Sequence, residues 1–306
     1  GEDVSVEAIK QFGEGDFYNS TPDELVAERI ADANIVVAKK SPMNESTMKD
    51  AKQVKMICQL STGYDNVDIE YCKNRGIHVA NARNYSTAAV AQHTVALALS
   101  VLENLPYYDN YVKSGAYASQ PRFAHFKPWY ELEGKTWGIA GMGNIGRRVA
   151  KAAEALGCKV IFYATSGHSD CKDYERVDWD TLLAQSDILS LHCPLSDRTF
   201  HLMNADAFSK MKKSAVLINV ARGAVVDTDA LYEALVNGEI RGAGTDVFEK
   251  EPILADNPLA TLKETGKLQL TPHMAWASIE ARERCVEETC KNIAAFISGE
   301  GRNLVV

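Results

Sequence analysis

Gly141, Gly143 and Gly146 stand in the run Gly-Met-Gly-Asn-Ile-Gly, and further along the chain His192, Arg222 and His273 each follow a short apolar run. Glycines also mark ordinary turns, so the triplet acquires meaning only from its surroundings. Thr136 to Ala140 before it reads as a strand, the segment from Ile145 as a helix, and Lys159 to Tyr163 as a second strand, which together make a βαβ unit. In that setting the first glycine permits a tight turn and the second lets a pyrophosphate approach the backbone. The helix N-terminus, opening at Asn144 and Ile145, then meets the negative charge. The pattern predicts a dinucleotide site.

A carboxylate about 20 positions beyond such a loop would normally hold the ribose 2′-hydroxyl of NAD. The residue after Tyr163 is Ala164, followed by Thr165, Ser166, Gly167 and His168. The acid is missing, and no arginine stands in this run to draw a 2′-phosphate. NAD is the expected cofactor, with NADP the alternative and the hydroxyls of Thr165 and Ser166 as contacts.

In open α/β sheets ligands bind beyond the carboxyl ends of the strands, which is where His192, Arg222 and His273 fall. A dehydrogenase of hydroxy acids needs an acid/base for the hydroxyl proton, a cation for the carboxylate and a donor to polarise the carbonyl. Arginine suits the second and third tasks through its planar fork, and histidine the first because it titrates near neutrality. Each residue also has an ordinary reading, as a solvated arginine or a hydrogen-bonded structural histidine. Spacing does not choose between His192 and His273, and Glu251 is unremarkable by type alone. Lys40, after an apolar run, is a candidate second cation, although lysine is usually exposed.

The elements that must position these residues are visible as alternating runs. Ile35 to Ala38, Val54 to Gln59 and Ile77 to Ala80 read as strands, separated by helix-like segments such as Pro22 to Ala31. The chain opens on a helix-like segment where such a sheet would open on a strand, so a first strand is expected before residue 1. From an N-cap at Ser86, Thr87 to Leu102 is apolar over most of its circumference, which predicts a buried helix. Asn104 to Glu133 is aromatic-rich and is expected to be a long irregular segment that covers a partner. Strands then recur at Asp187 to His192, Ala215 to Asn219, Gly242 to Val247 and Leu268 to Leu270, before a helix over Ser278 to Ser298. The fold expected is α/β with two doubly wound parallel-sheet domains: a Rossmann cofactor domain over 87–273, and a flavodoxin-like substrate domain over 1–86 to which a C-terminal helix in 274–306 returns.

The 306 residues carry a formal charge of -8, which argues against a nucleic-acid partner. No apolar run approaches the roughly 20 residues of a bilayer span, and the first residues have neither a basic nor an apolar leader segment. A cytoplasmic location without membrane contact is expected. Cysteines at 58, 72, 158, 171, 193, 285 and 290 include no Cys-x-x-Cys pair. They read as reduced small hydrophobes rather than disulfides or a metal site.

The segments Ser61 to Asn81, Gly141 to Ala150, Ile218 to Leu231, Gly242 to Pro252 and Leu270 to Ala277 together resemble the D-isomer-specific 2-hydroxyacid dehydrogenases, particularly their glycerate dehydrogenase (hydroxypyruvate reductase) branch. The resemblance implies that Arg222 binds the substrate carboxylate and polarises the keto oxygen, that His273 is the proton donor and acceptor, and that Glu251 partners that histidine. A nearby carboxylate stabilises an imidazolium, which fits the pairing. It further implies that the backbone N–H groups of Thr62 and Gly63 hold the carboxylate and that Asp246 contacts the nicotinamide carboxamide. His192, Cys193 and Pro194 would line the adenosine side, with Thr199, Val220 and Ala221 as further cofactor contacts, and Trp276 would narrow the substrate pocket. No metal is implied, and a homodimer is. The expected reaction is hydride exchange between NAD(P) and a small 2-keto or 2-hydroxy acid, hydroxypyruvate and D-glycerate first. Reduction of another keto acid such as phenylpyruvate or glyoxylate is the alternative within the class. A non-catalytic NAD(H)-sensing protein is the rival outside it, and oxidation of formate is disfavoured by Glu251, which that branch replaces with an amide.

Overall fold

A computed structural model of the chain describes residues 3–120, 127–262 and 266–306. The chain divides into two compact units, residues 1–86 with 277–306 and residues 87–276.

The smaller unit is built on three parallel strands in the order β1 (Ile35–Ala38), β2 (Met56–Gln59) and β3 (His78–Asn81). The central strand β2 is buried along its whole length, as expected of a strand paired on both sides and covered on its faces. The helix Ile279–Ile297 starts where the Ser278 hydroxyl accepts the Ala281 N–H at 3.2 Å, an ordinary N-cap. Its Ile293 packs with Met56, Cys58 and Ala80, and its buried Asn292 donates to the Asn81 carbonyl at 3.0 Å. The end of the chain then runs beside β3, where the Val79 N–H donates to Val306 and the Val305 N–H to Val79, at 2.9 and 2.7 Å.

The larger unit holds seven parallel strands: β4 (Thr136–Ala140), β5 (Lys159–Tyr163), β6 (Glu175–Arg176), β7 (Ile188–Leu191), β8 (Val216–Asn219), β9 (Gly242–Thr245) and β10 (Leu268–Leu270). Their spatial order is β10-β9-β8-β7-β4-β5-β6. The chain winds outward from β4 through β5 to β6, then returns to the other side of β4 and winds outward again. The order therefore reverses between β4 and β7, and the connections leaving these two neighbours part to opposite sides. Strands β7, β8 and β9 are buried throughout. In β4, fully buried Trp137 donates its indole N–H to Ser190 of β7 at 2.9 Å, so a large side chain enters the core without an unpaired donor.

The helix Thr87–Leu102 buries Val90, Thr94, Leu97, Ala98 and Val101. This is one stripe at helical spacing rather than burial all round, because the sheet covers only one side of it. The aromatic segment after it is not irregular throughout: Leu105–Lys113 is a helix. Tyr107 and Tyr111, one turn apart, stack within it with ring centroids 6.2 Å apart. Residues 121–126 of that segment lie outside the described residues. Met274 to Trp276 belong with the larger unit, because the Met274 and Ala275 N–H groups are tied to Asp246.

All seven cysteines are free, and burial pushes the thiols of Cys58, Cys72, Cys158 and Cys193 up to about 11. Among the described residues no single helix is long and apolar enough to cross a membrane. Replacing Trp137 with alanine removes a fully buried ring and its hydrogen bond, and is expected to cost about 3–5 kcal/mol. Urea unfolding of the purified chain measures this, and a loss within experimental error would contradict the packing.

Candidate active site

The glycine loop sits where the strand order reverses. Gly141 follows β4 with φ of 99°, and a Cβ there would lie 2.9 Å from the His192 carbonyl carbon, so the backbones leaving β4 and β7 touch. A Cβ on Gly146 would lie 2.3 Å from the Gly141 oxygen. Gly143 differs: it is the N-cap of the helix Asn144–Ala155, and a Cβ there would meet nothing within 4 Å. Two glycines thus let the loop pack on itself, while the third leaves open space over the start of a three-turn helix headed by Asn144 and Ile145. A phosphate can approach those N–H groups directly, so the residues present fit a dinucleotide.

At the end of β5, Ala164 is buried, Thr165 half-buried and Ser166 exposed. The linear run lacks an arginine, but two guanidinium groups reach it from elsewhere. Arg176 of β6 donates to the Gly167 carbonyl at 2.8 Å, and Arg198, from the connection after β7, donates to the Ser166 carbonyl at 3.5 Å. Spacing along the chain could not reveal either.

His192 ends β7 with its Nε2 3.0 Å from the Ser190 hydroxyl. The same Ser190 oxygen accepts the Trp137 indole N–H at 2.9 Å. Burial drives the imidazole down to about 3, so His192 is neutral near pH 7 and unable to serve as a proton donor there. Cys193 is buried and Pro194 exposed. Thr199 does not face outward as a cofactor contact would: it is 2% exposed, and its hydroxyl donates to Pro194 at 2.6 Å and accepts the Ser196 N–H at 2.8 Å. It builds the turn instead.

Past β8, half-buried Val220 and buried Ala221 lead to Arg222. The buried Asn219 side chain donates to the Arg222 carbonyl at 3.0 Å and accepts the Ala221 N–H at 3.1 Å, which fixes the turn. A Cβ on Gly223 would lie 1.9 Å from the Phe248 carbonyl carbon, so the Arg222 loop packs directly on the loop that carries Glu251. Glu249 of that loop accepts the Thr228 N–H at 2.9 Å and faces His201 Nε2 at 3.0 Å. Burial works to raise its carboxyl, but the hydrogen bonds from Thr228 and His201 hold it below the ordinary range.

Glu251 accepts the Phe248 N–H at 3.2 Å on one oxygen and lies 2.7 Å from His273 Nδ1 with the other. His273 follows β10 in a left-handed conformation, φ of 51°, uncommon for a residue with a Cβ. Asp246 holds it there. Its carbonyl accepts the His273 N–H at 2.7 Å, while its carboxylate accepts the Thr271 hydroxyl at 2.6 Å and the Met274 and Ala275 N–H groups at 2.8 Å each. The Asp246 side chain is 1% exposed, and these bonds fix the turn. Trp276 donates its indole N–H to the His273 carbonyl at 2.7 Å, which secures the same turn from the other side.

Glu251 and His273 are therefore in contact, beside the Arg222 loop, within the larger unit. Lys40, Thr62 and Gly63 lie in the smaller one, after β1 and β2. Lys40 is exposed. Asn81 donates to the Thr62 carbonyl at 2.6 Å and the Ser61 hydroxyl to the Gly63 carbonyl at 2.5 Å, so the carbonyls of this loop are engaged. Neither the Thr62 nor the Gly63 N–H has a hydrogen-bond partner among the described residues, an arrangement that can receive an anion. Among the described residues no group of three or more His, Cys, Asp or Glu could hold a metal ion. Type and spacing had missed Asn219, Gly223, Glu249 and His201. Of these, only Asn219 carried a sequence signal, as a polar residue ending an otherwise apolar strand.

Gly141→Ala must displace the His192 backbone and is expected to weaken NADH binding about tenfold or more, a change of about 1.4 kcal/mol. Fluorescence titration reads it, and an unchanged affinity would contradict the geometry. His192, lowered from 6.5 to about 3, should remain neutral in nitrogen-15 spectra down to pH 5. An unfolded imidazole binds its proton near 6.5, so this group makes stability fall as pH drops from 6.5 toward 3 and has no effect above that window. A His192 titration near pH 6.5 in the folded chain would contradict it.

The chain is similar to known proteins over nearly all of its length. Residues 95–275 match the family model of the D-isomer specific 2-hydroxyacid dehydrogenase NAD binding domain. A glycerate dehydrogenase of Methylorubrum extorquens is 40% identical over 93% of this chain and 89% of its own. A hydroxypyruvate reductase of Blautia hydrogenotrophica is 35% identical over 99% of this chain and 95% of its own. The crystal structure of D-lactate dehydrogenase from Aquifex aeolicus, complexed with NAD and lactic acid, superimposes with a TM-score of 0.85 at 33% identity, covering 96% of this chain and 91% of that one. The chain belongs to the D-isomer-specific 2-hydroxyacid dehydrogenases, oxidoreductases that act on the CH–OH group of 2-hydroxy acids with a nicotinamide cofactor.

Proposed function

We propose that this enzyme reduces hydroxypyruvate to D-glycerate, with Arg222, Glu251 and His273 as its catalytic residues. The observation that carries the assignment of residues is the His273–Glu251 pair at 2.7 Å, on a loop that packs against the one bearing Arg222. The substrate follows the relatives named for glycerate and hydroxypyruvate. A nicotinamide cofactor bound at Gly141 to Gly146 would supply the hydride that goes to the keto carbon.

The residues of the chain do the rest. The Arg222 guanidinium binds the substrate carboxylate through its planar fork and polarises the keto oxygen. With His273 Nδ1 turned to Glu251, Nε2 is the ring nitrogen that gives a proton to the keto oxygen during reduction and takes it back during oxidation. The Glu251 carboxylate orients the ring and stabilises the imidazolium. The unpartnered N–H groups of Thr62 and Gly63, with the nearby Lys40 of the smaller unit, suit an anion such as a carboxylate, and Trp276, tied to the His273 carbonyl, would limit the room for a side chain beside that histidine.

We also propose that two copies associate. Leu105, Val112, Tyr117, Trp129 and Tyr130 are large apolar groups exposed along one segment, and a second copy would cover them. Seven free cysteines suit a reducing, cytoplasmic compartment without disulfide exchange.

The test is the initial rate of reduced-cofactor oxidation with hydroxypyruvate, glyoxylate, pyruvate and phenylpyruvate, with hydroxypyruvate expected to give the highest kcat/KM. Preference for another keto acid would replace the substrate, and no turnover by a folded, cofactor-binding sample would favour the sensor reading. His273→Asn is expected to lower kcat by roughly 10²–10⁴ with cofactor affinity kept, and Arg222→Ala to raise KM for the keto acid and lower kcat together. Unchanged kinetics in either variant would remove that residue from the site.

A further inference from the structure

We infer that His93 is a positioning residue for the acid–base histidine: its Nε2–H, acting through the Thr271 hydroxyl, orients the Asp246 carboxylate that holds the His273 turn. The inference deepens the proposed function, since it rests on His273 giving and taking the proton. The helix Thr87–Leu102 buries Val90, Thr94, Leu97 and Val101, and Leu97 and Val101 pack with Val216 and Ile218 of β8. His93 stands three residues after Val90 and four before Leu97, on the same side of the helix. It is the only ionisable residue of that helix, and its side chain is 17% exposed.

This placement brings Nε2 to 3.0 Å from Thr271 Oγ1 and 3.6 Å from Asp246 Oδ1. The Thr271 hydroxyl has a single hydrogen and donates it to Asp246 at 2.6 Å, so only its lone pairs face the imidazole and Nε2 must be the donor. The bonds then run in one direction, from His93 through Thr271 to Asp246, and bonds in such a chain polarise one another. The Asp246 side chain is 1% exposed, and a carboxylate so removed from water is costly unless its oxygens are paired. It accepts the Met274 and Ala275 N–H groups at 2.8 Å as well. Among the described residues His93 is the one side chain within ion-pair distance of it that can carry positive charge. Two hydrogen bonds thus connect the helix to the carboxylate around which the left-handed His273 is built. Without the His93 donor, Thr271 and Asp246 can turn, and the His273 ring shifts against Glu251, 2.7 Å away.

The experiment compares His93→Leu, which removes the donor, with His93→Gln, whose amide N–H can stand where Nε2–H stood. His93→Leu is expected to lower kcat for the keto acid about ten- to a hundredfold, with NADH affinity and melting temperature little changed, and His93→Gln to recover most of the loss. A kcat unchanged in His93→Leu, or lost equally in both variants, would overturn the role. Thr271→Val breaks the same chain at its middle, so adding His93→Leu to it should cost nothing further; additive losses would also overturn the inference. A second readout needs no turnover: the His273 Nδ1–H that faces Glu251 should give a downfield proton resonance, identified by its absence in His273→Asn. That resonance is expected to move in His93→Leu and to return in His93→Gln, and one that stays in place in both would remove His93 from the chain. If the unaltered protein turned over no keto acid, the proposed reaction would fall, while this resonance would still decide the role of His93.

Discussion

Because every strand of the seven-stranded sheet runs the same way, each connection that leaves a carboxyl end emerges on one edge. Residues scattered over more than a hundred positions are collected there: Gly141 after β4, Ala164 after β5, His192 after β7, Arg222 after β8, Asp246 and Glu251 after β9, and His273 after β10. Strand order then assigns each its place. The glycine loop falls at the reversal between β4 and β7, and the three residues proposed for catalysis follow β8 to β10.

Parallel pairing fixes where the loops start, but not how the side chains are held. That is the work of buried polar groups which bind the backbone beside them. Asn219 fixes the Arg222 turn, and the Asp246 carboxylate accepts three donors around the His273 turn. A left-handed histidine is costly by itself and persists because the surrounding bonds over-determine it. Fully satisfied, these groups rigidify the site; with one partner lost, each would leave a buried polar atom unpaired at about 1–3 kcal/mol.

Much of this was legible in the residues. The βαβ unit around the glycine triplet, the positions of the strands and the resemblance that singled out Arg222, Glu251 and His273 all came from local pattern. What escaped was non-local. Arg176 and Arg198 reach the β5 turn from other connections, and Glu249 meets His201 across 48 residues, so no window of sequence contains these pairs. The helix Leu105–Lys113 was missed because the aromatic-rich run from Asn104 to Glu133 was read as one irregular segment, which hid the helical spacing of Leu105, Tyr108 and Val112. Asp246 and Thr199 were singled out by resemblance alone, and the structure adds that their oxygens also tie down the turns beside them.

The central claim is that Arg222 and His273 face one substrate. A crystal structure of the enzyme with NAD and oxamate, an unreactive analogue of a 2-keto acid, tests it most directly. The account expects the Arg222 guanidinium on the oxamate carboxylate and His273 Nε2 about 3 Å from the amide oxygen that stands in for the keto oxygen. Oxamate bound away from both residues, in a crystal where NAD fills the glycine loop, would contradict it.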